Sequence, residues 1–163
     1  MKVQHLIFSK INNNSLAAKI LLEVGEEINY DGFYNFGRSP NALSKQSIRR
    51  LVVKGLLEQK KEGDTHLLKL TNSGFTEFLK LKLTQAKKLP KDKGCLVVFD
   101  IPQKYDSLRK TLRKFLKEHR FSPLQKSVWF SSFDSTDLLK MFFRHSSIDQ
   151  WVSVFDIDLN TDL

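Results

Sequence analysis

Two groups of side chains in this 163-residue chain carry chemistry by type and spacing. The first is Lys45, Gln46, Ser47, Arg49, Arg50 and Lys54, within "SKQSIRRLVVKG". On a helix, residues four apart lie side by side, so Lys45 stands beside Arg49 and Gln46 beside Arg50. Arg and Gln present forked donors and acceptors that fit purine edges in a major groove, whereas Lys serves as a counter-charge to phosphate. The second is Asp100, in "CLVVFDIPQKY", where five apolar residues run into one carboxylate. A carboxylate so placed can hold a divalent metal, meet a partner subunit, or simply leave the sheet edge for water.

The remaining reactive residue types form weaker patterns. Cys95 is the single cysteine, so no intrachain disulfide exists, and a reducing, cytoplasmic setting is the natural reading. Its apolar neighbours imply a buried thiol. His5, His66, His119 and His145 have no ligand spacing, and no zinc is expected. Ser131, Ser132, Asp134 and His145 supply the residue types of a hydrolase triad, yet no Gly-x-Ser-x-Gly elbow surrounds them. Trp129, Phe130, Trp151 and Phe155 alternate as strand residues do, which favours core or interface over stacking platforms for single strands. No glycine-rich phosphate loop occurs, since Gly63 and Gly74 fall at a hairpin and at the start of a helix. No cofactor is expected on these grounds.

The elements that must position the basic group lie between residues 15 and about 86. Ser15 caps a helix whose Leu16, Ile20, Leu21, Val24 and Ile28 recur at three- and four-residue steps. Residues 29–41 carry Gly32, Gly37 and Pro40 and stay undecided. Ser44 then caps "KQSIRRLVVK", with Ile48, Leu51 and Val52 as its buried stripe and Gly55 as a left-handed stop. "LLEQKK" and "THLLKLT" flank the polar turn Glu62-Gly63-Asp64 and read as a hairpin, whose Lys60, Lys61, His66 and Lys69 are placed to rest on a nucleic-acid backbone or in a minor groove. "NSGFTEFLKLKLTQA" closes the unit as a helix with Phe75, Phe78, Leu79 and Leu83 inward. Helix followed by hairpin is the winged-helix order. A basic helix face alone is ordinarily a solvated surface. Here it coincides with a glycine stop, a two-stranded wing and a local charge excess.

That excess is uneven. The chain holds 27 Lys and Arg against 18 Asp and Glu, a net charge of +9. Residues 1–94 contribute 17 basic and 9 acidic residues, and residues 95–163 contribute 10 and 9. A polyanionic partner for the first part follows, duplex DNA foremost. No apolar run approaches the roughly 18 residues of a membrane span, so no membrane partner is expected.

Polar "KKLPKDKG" separates a second unit. Strand "CLVVFDI" leads to a helix from about Asp106 with Leu108, Leu112, Phe115 and Leu116 as its apolar stripe; Arg109, Lys110, Arg113, Lys114 and Lys117 cover the rest. "FSPLQKSVWFSSF" reads as two strands bent near Pro123, followed by a short helix bearing Leu138, Leu139, Phe142 and Phe143 and by the strand "DQWVSVFDI". The tail "DIDLNTDL", with three acids and no base, reads as a frayed terminus or as a contact with the basic helix. The fold class is therefore α+β: an N-terminal winged helix-turn-helix domain (1–86), a linker (87–94) and a C-terminal ferredoxin-like βαββαβ domain (95–163).

The segment "CLVVFDIPQKYDSLRKTLRKFLKEHRFSPLQKSVWFSS" resembles one shared by the small ferredoxin-like CRISPR-associated endonuclease of the adaptation complex and by the phenylacetate-repressor (PaaX-like) transcription regulators. The carriers are the strand ending in Asp-Ile-Pro, the basic helix, and "LQKSVW". Upstream, "SKQSIRRLVVKGLLEQKKEGDTHLLKLTNSG" is similar to the winged-helix part of the same regulators, notably in its Arg-rich helix and its Leu-Thr-x-x-Gly. The resemblance implies a homodimer built through the ferredoxin-like units and presenting two winged helices to a near-two-fold site on double-stranded DNA. In the nuclease relatives an Asp matching Asp100 comes from each protomer, and the pair holds a divalent metal. The preferred reading is a sequence-specific DNA-binding regulator, a repressor in type, with Asp100 ordering the strand-to-helix loop rather than cutting DNA. Its alternative is a Mg- or Mn-dependent nuclease with Asp100 as metal ligand, or a structural adaptor of an adaptation complex. A third reading is a docking protein whose basic surface meets an acidic partner.

Overall fold

The computed structural model describes residues 11–27, 34–35 and 45–158. The chain divides into two compact units, Ser9–Lys82 and one built on Leu83–Leu163. The structure is α+β with antiparallel sheets.

The first unit runs α1 (Leu16–Glu27), β1 (Tyr34–Asn35), α2 (Lys45–Val53), β2 (Leu57–Glu62), β3 (Thr65–Leu70) and most of α3 (Asn72–Gln85). Its three strands lie in the order β1-β3-β2. Ser15 caps α1 as expected, its Oγ accepting the Ala18 N–H at 3.1 Å. Leu16 is exposed, however, and Ala18 takes its place in the stripe with Ile20, Leu21 and Val24. Ile28, Ser44 and residues 29–33 and 36–41 lie outside the described residues. Ile48 and Leu51 of α2, Leu56, Leu57 and Leu68 of the hairpin region, and Leu81 of α3 complete one core with α1.

Two glycines fix how α2 meets the hairpin and α3. At the end of α2, Gly55 has φ +69, its N–H bonds to the Val52 carbonyl, and the Leu56 N–H bonds to Leu51. This is a Schellman stop, closed by apolar contact between Leu56 and Leu51. Thr71 then fastens the start of α3 from two sides: its Oγ1 donates to the Gly55 carbonyl at 2.6 Å and accepts the Gly74 N–H at 3.0 Å. Gly74 packs so tightly on the Leu56 carbonyl that a Cβ would sit 1.9 Å from that oxygen. The Leu70-Thr71-x-x-Gly74 signature is thus a joint between helix stop, strand and following helix.

Along α3, Phe78, Leu79 and Leu83 are buried, as expected, and Phe75 is half-buried. Thr76, Glu77 and Lys80 are buried too, the last two as an ion pair at 2.9 Å. The amphipathic stripe read from the sequence therefore understates how much of this helix is covered.

The second unit runs β4 (Lys93–Phe99), a 3-10 turn (Gln103–Tyr105), α4 (Asp106–Glu118), β5 (Ser122–Gln125), β6 (Val128–Ser131), α5 (Thr136–His145) and β7 (Val152–Asp158). Its sheet order is β5-β6-β4-β7, every pair antiparallel. This is the βαββαβ connectivity anticipated for the segment. The β5–β6 turn falls at Lys126-Ser127 rather than near Pro123. Pro123 sits inside β5 beside a register shift, where an edge strand tolerates a residue without an N–H. The polar stretch 87–94 is tied to this unit: the Leu89 N–H bonds to Ser132, the Asp134 N–H bonds to Lys87, and β4 begins at Lys93.

Register divides the sheet into two unlike faces. Cys95, Val97, Phe99, Trp129, Ser131, Val152 and Val154 lie on one face, all buried. Against them pack Leu108, Leu112, Phe115 and Leu116 of α4 and Leu139, Phe142 and Phe143 of α5, with the Phe115 and Phe142 rings stacked 4.5 Å apart. The opposite face carries the cross-strand row Phe155–Leu96–Phe130 and, beside it, Val98–Val128. Neither α4 nor α5 covers it; Phe155 is 49% exposed, and Leu96, Val98, Val128 and Phe130 are half-buried.

Candidate functional site

The α2 surface follows from its sequence. Burying Ile48 and Leu51 turns Lys45, Gln46, Arg49 and Arg50 outward, all four exposed, with Ser47 half-exposed and Lys54 exposed just past the helix end. Among the described residues none of these cations takes part in an ion pair. Val53, 80% exposed, extends the stripe one turn beyond Arg49. The sequence reading missed it, although its spacing of four from Arg49 is a readable signal. An exposed apolar side chain between two guanidinium groups and a lysine suits contact with a thymine methyl.

The β2–β3 hairpin, read from the sequence as a wing, is less basic than that reading expects. Gly63, at φ +58, opens a two-residue turn between the paired residues Glu62 and Thr65. Strand alternation then splits the four named residues. Lys61 and His66 lie directly opposite each other on the side that also carries Leu57 and Leu68, while Lys60 and Lys69 share the other side with Glu58 and Glu62. Lys60 is ion-paired to Glu62, Lys69 stands opposite Glu58, and His66 Nδ1 meets Gln59 Nε2 at 3.0 Å. From Leu57 to Leu70 the hairpin holds three Lys and three Asp or Glu. Its field is nearly neutral, and the concentrated positive potential of this unit belongs to α2.

Asp100 lies one residue beyond β4 and is exposed. Its backbone N–H bonds to the Trp151 carbonyl at 2.9 Å, whereas its carboxylate has no hydrogen-bond partner among the described residues. The side chain therefore does not order the loop, contrary to expectation. Arg109 does so instead, donating from Nε to the Ile101 carbonyl at 2.8 Å, together with the Tyr105 N–H bond to Pro102. A pocket of about 230 Å³ opens beside Asp100, lined by Phe99, Ile101, Arg109, Arg113, Lys126 and Ser127. Arg113 donates from Nε to the Lys126 carbonyl at 3.1 Å and lies 5.9 Å from the centre of the Phe99 ring.

The companions proposed for a metal at Asp100 disperse. Asp106 is paired with Lys110 at 2.9 Å, a hydrogen bond that holds its carboxyl below the usual carboxylate range. Ser131 is buried beside Cys95, at the other end of β4, roughly 16 Å along the strand from Asp100. Only Ser127 is near. Among the described residues no group of three His, Cys, Asp or Glu is placed to hold a metal ion. One carboxylate facing three cationic side chains does not fit a divalent cation within one chain.

The remaining candidates resolve into structure. The Cys95 thiol is fully buried, and burial pushes its pKa up to about 11. Thr136 and Asp156 are hydrogen-bonded to each other beside it, which places the first acid of the expected frayed tail inside β7. Trp129 is core, and Trp151 packs on Tyr105 with ring centres 5.1 Å apart. Ser131 Oγ accepts the Phe133 N–H and is buried, so it is no nucleophile. No described helix is long and apolar enough to cross a membrane.

Residues 90–161 match the family model described as the PaaX protein central Cas2-like domain. The match covers all the elements of the βαββαβ unit and under half of the chain. No curated protein gives a match.

Proposed function

We propose that the chain is a sequence-specific, double-stranded-DNA-binding transcription regulator that acts as a homodimer, with residues 9–82 as a winged helix. The observation that carries this reading is the single exposed ridge of α2, where Lys45, Gln46, Arg49, Arg50 and Lys54 stand without acidic partners among the described residues while Ile48 and Leu51 anchor the helix below. The order α1, β1, α2, β2, β3 and the match of residues 90–161 to a domain of PaaX support it. In this reading α2 enters the major groove, Gln46, Arg49 and Arg50 meet base edges, and Lys45 and Lys54 meet phosphates. The wing adds orientation through Lys61 and His66 at its tip and little net charge.

The apolar row Phe155–Leu96–Phe130 supports dimerisation, because it is apolar surface that no helix of its own unit covers and that a second copy would bury, and a dimer would present two α2 helices. Selection from a randomised duplex pool tests the function. It is expected to return a site with two related halves, bound with an affinity that falls steeply with salt as counterions are released. Recovery of unselected sequence would contradict it.

The Cas2-like match favours one second reading, a metal-dependent nuclease using Asp100. The cationic lining around Asp100 weighs against it. Incubation of labelled DNA and RNA with the protein and Mg²⁺ or Mn²⁺ decides: intact substrate sustains the regulator, and cleavage abolished by Asp100→Ala sustains the nuclease.

A further inference from the structure

We propose that the pocket beside Asp100 binds a small phosphomonoester, with Arg109, Arg113 and Lys126 holding the phosphate and Asp100 accepting a hydroxyl of the ligand. Arg109 and Arg113 stand four apart on α4, so their guanidinium groups project side by side. Each spends its Nε on a backbone carbonyl, of Ile101 and Lys126 respectively. That bond fixes the plane of the guanidinium and leaves both Nη groups uncommitted among the described residues. Fixed, paired forks of this kind are what bidentate recognition of a phosphate requires, and their ordering is already complete before any ligand arrives.

The charge count selects the ligand class. Three cations and one carboxylate line the pocket, a net charge of +2, which matches a phosphomonoester dianion rather than a singly charged diester or carboxylate. Ser127, at the pocket wall, supplies a hydroxyl donor. Asp100 would repel phosphate oxygens but accepts a hydrogen bond from a neighbouring hydroxyl, so the ligand carries donors next to its phosphate. The volume of about 230 Å³ holds a phosphate and a few further heavy atoms, not a length of nucleic-acid backbone. This site is separate in residues from the α2 ridge, and its test does not depend on DNA binding.

Calorimetric titration of the full chain uses inorganic phosphate, glycerol 3-phosphate and dimethyl phosphate at constant ionic strength. The first two are expected to bind and to compete, about tenfold or more tighter than the diester. Lys126→Gln and Ser127→Ala lie at an exposed turn and leave the Nε anchors intact; each is expected to weaken phosphate binding, as is Arg113→Gln. Asp100→Asn is expected to erase the advantage of glycerol 3-phosphate over phosphate. Equal affinity for monoester and diester would overturn the proposal, as would unchanged affinity in Lys126→Gln and Arg113→Gln together. So would absence of phosphate binding at millimolar concentration. Loss of duplex affinity in Lys126→Gln without any monoester binding would instead assign the pocket to the DNA backbone and overturn the small-ligand assignment.

Discussion

At Gly74 the absence of a side chain lets the first turn of α3 lie against the Leu56 carbonyl, where a Cβ would fall 1.9 Å from oxygen. Backbone cannot yield as a flexible side chain does, so Gly74→Ala is expected to lower stability by about 1–3 kcal/mol, read as a shift of the urea midpoint at constant m-value. An unchanged midpoint would show that the joint is loose. Cys95 gives a second prediction at this scale. Its folded pKa of about 11 lies above the ordinary value of 9.0, so the folded state keeps a proton that the unfolded chain releases. The associated stability is present below about pH 9 and is lost as pH rises through about 11. Cys95→Ala should therefore show a shallower loss of Tm across that window than the parent chain. In the native parent the thiol should resist a disulfide reagent at pH 8 and react once urea unfolds the chain. Arg120 belongs at this scale as well. It ends α4 at φ 67, where glycine is usual, and its guanidinium donates to the Leu83 and Thr84 carbonyls at 2.8 and 2.9 Å while lying 3.7 Å from the Phe133 ring centre.

At the scale of elements, α2 and the β2–β3 hairpin differ in what they offer a polyanion. The α2 ridge concentrates positive charge, whereas Lys60 and Lys69 of the hairpin each have a glutamate beside or across from them. Replacing Lys60 and Lys69 by Gln is accordingly expected to change duplex affinity by less than about threefold, an effect that fluorescence anisotropy resolves. A loss as large as that from α2 would return the wing to the centre of recognition. The α2 helix was legible because its Ile48/Leu51 stripe and Gly55 stop obey local rules, and the βαββαβ order was legible from the alternation of Val97, Phe99, Val152 and Val154 with turn residues. Local rules stop short elsewhere. The nearly neutral hairpin needs cross-strand register, which places Glu58 opposite Lys69. The covered side of α3 hides Glu77 and Lys80, residue types that periodicity assigns to solvent. The Asp100 pocket depends on Lys126 and Ser127 meeting α4 across 13 or more residues of chain, a proximity no spacing rule expresses.

For the whole molecule, the proposed dimer rests on the uncovered face of the βαββαβ sheet, and in that proposal this face sets whether one α2 or two meet a duplex. Phe155→Asp places a charge in the apolar row beside Leu96 and Phe130 without touching the helix-covered core. Sedimentation should find the parent chain dimeric and this variant monomeric at micromolar concentration, with unaltered far-UV circular dichroism and weaker binding to a two-half site. A variant still dimeric would move the interface elsewhere. The α2 ridge itself is tested most directly by reversing its two arginines, whose exposed positions make the change tolerable to the fold. Anisotropy of a labelled selected duplex, at fixed salt and with matched circular dichroism spectra, should show the parent chain binding and Arg49→Glu/Arg50→Glu weaker by about a hundredfold or more. Equal affinity of the two proteins for that duplex would contradict the assignment of α2 as the reading helix.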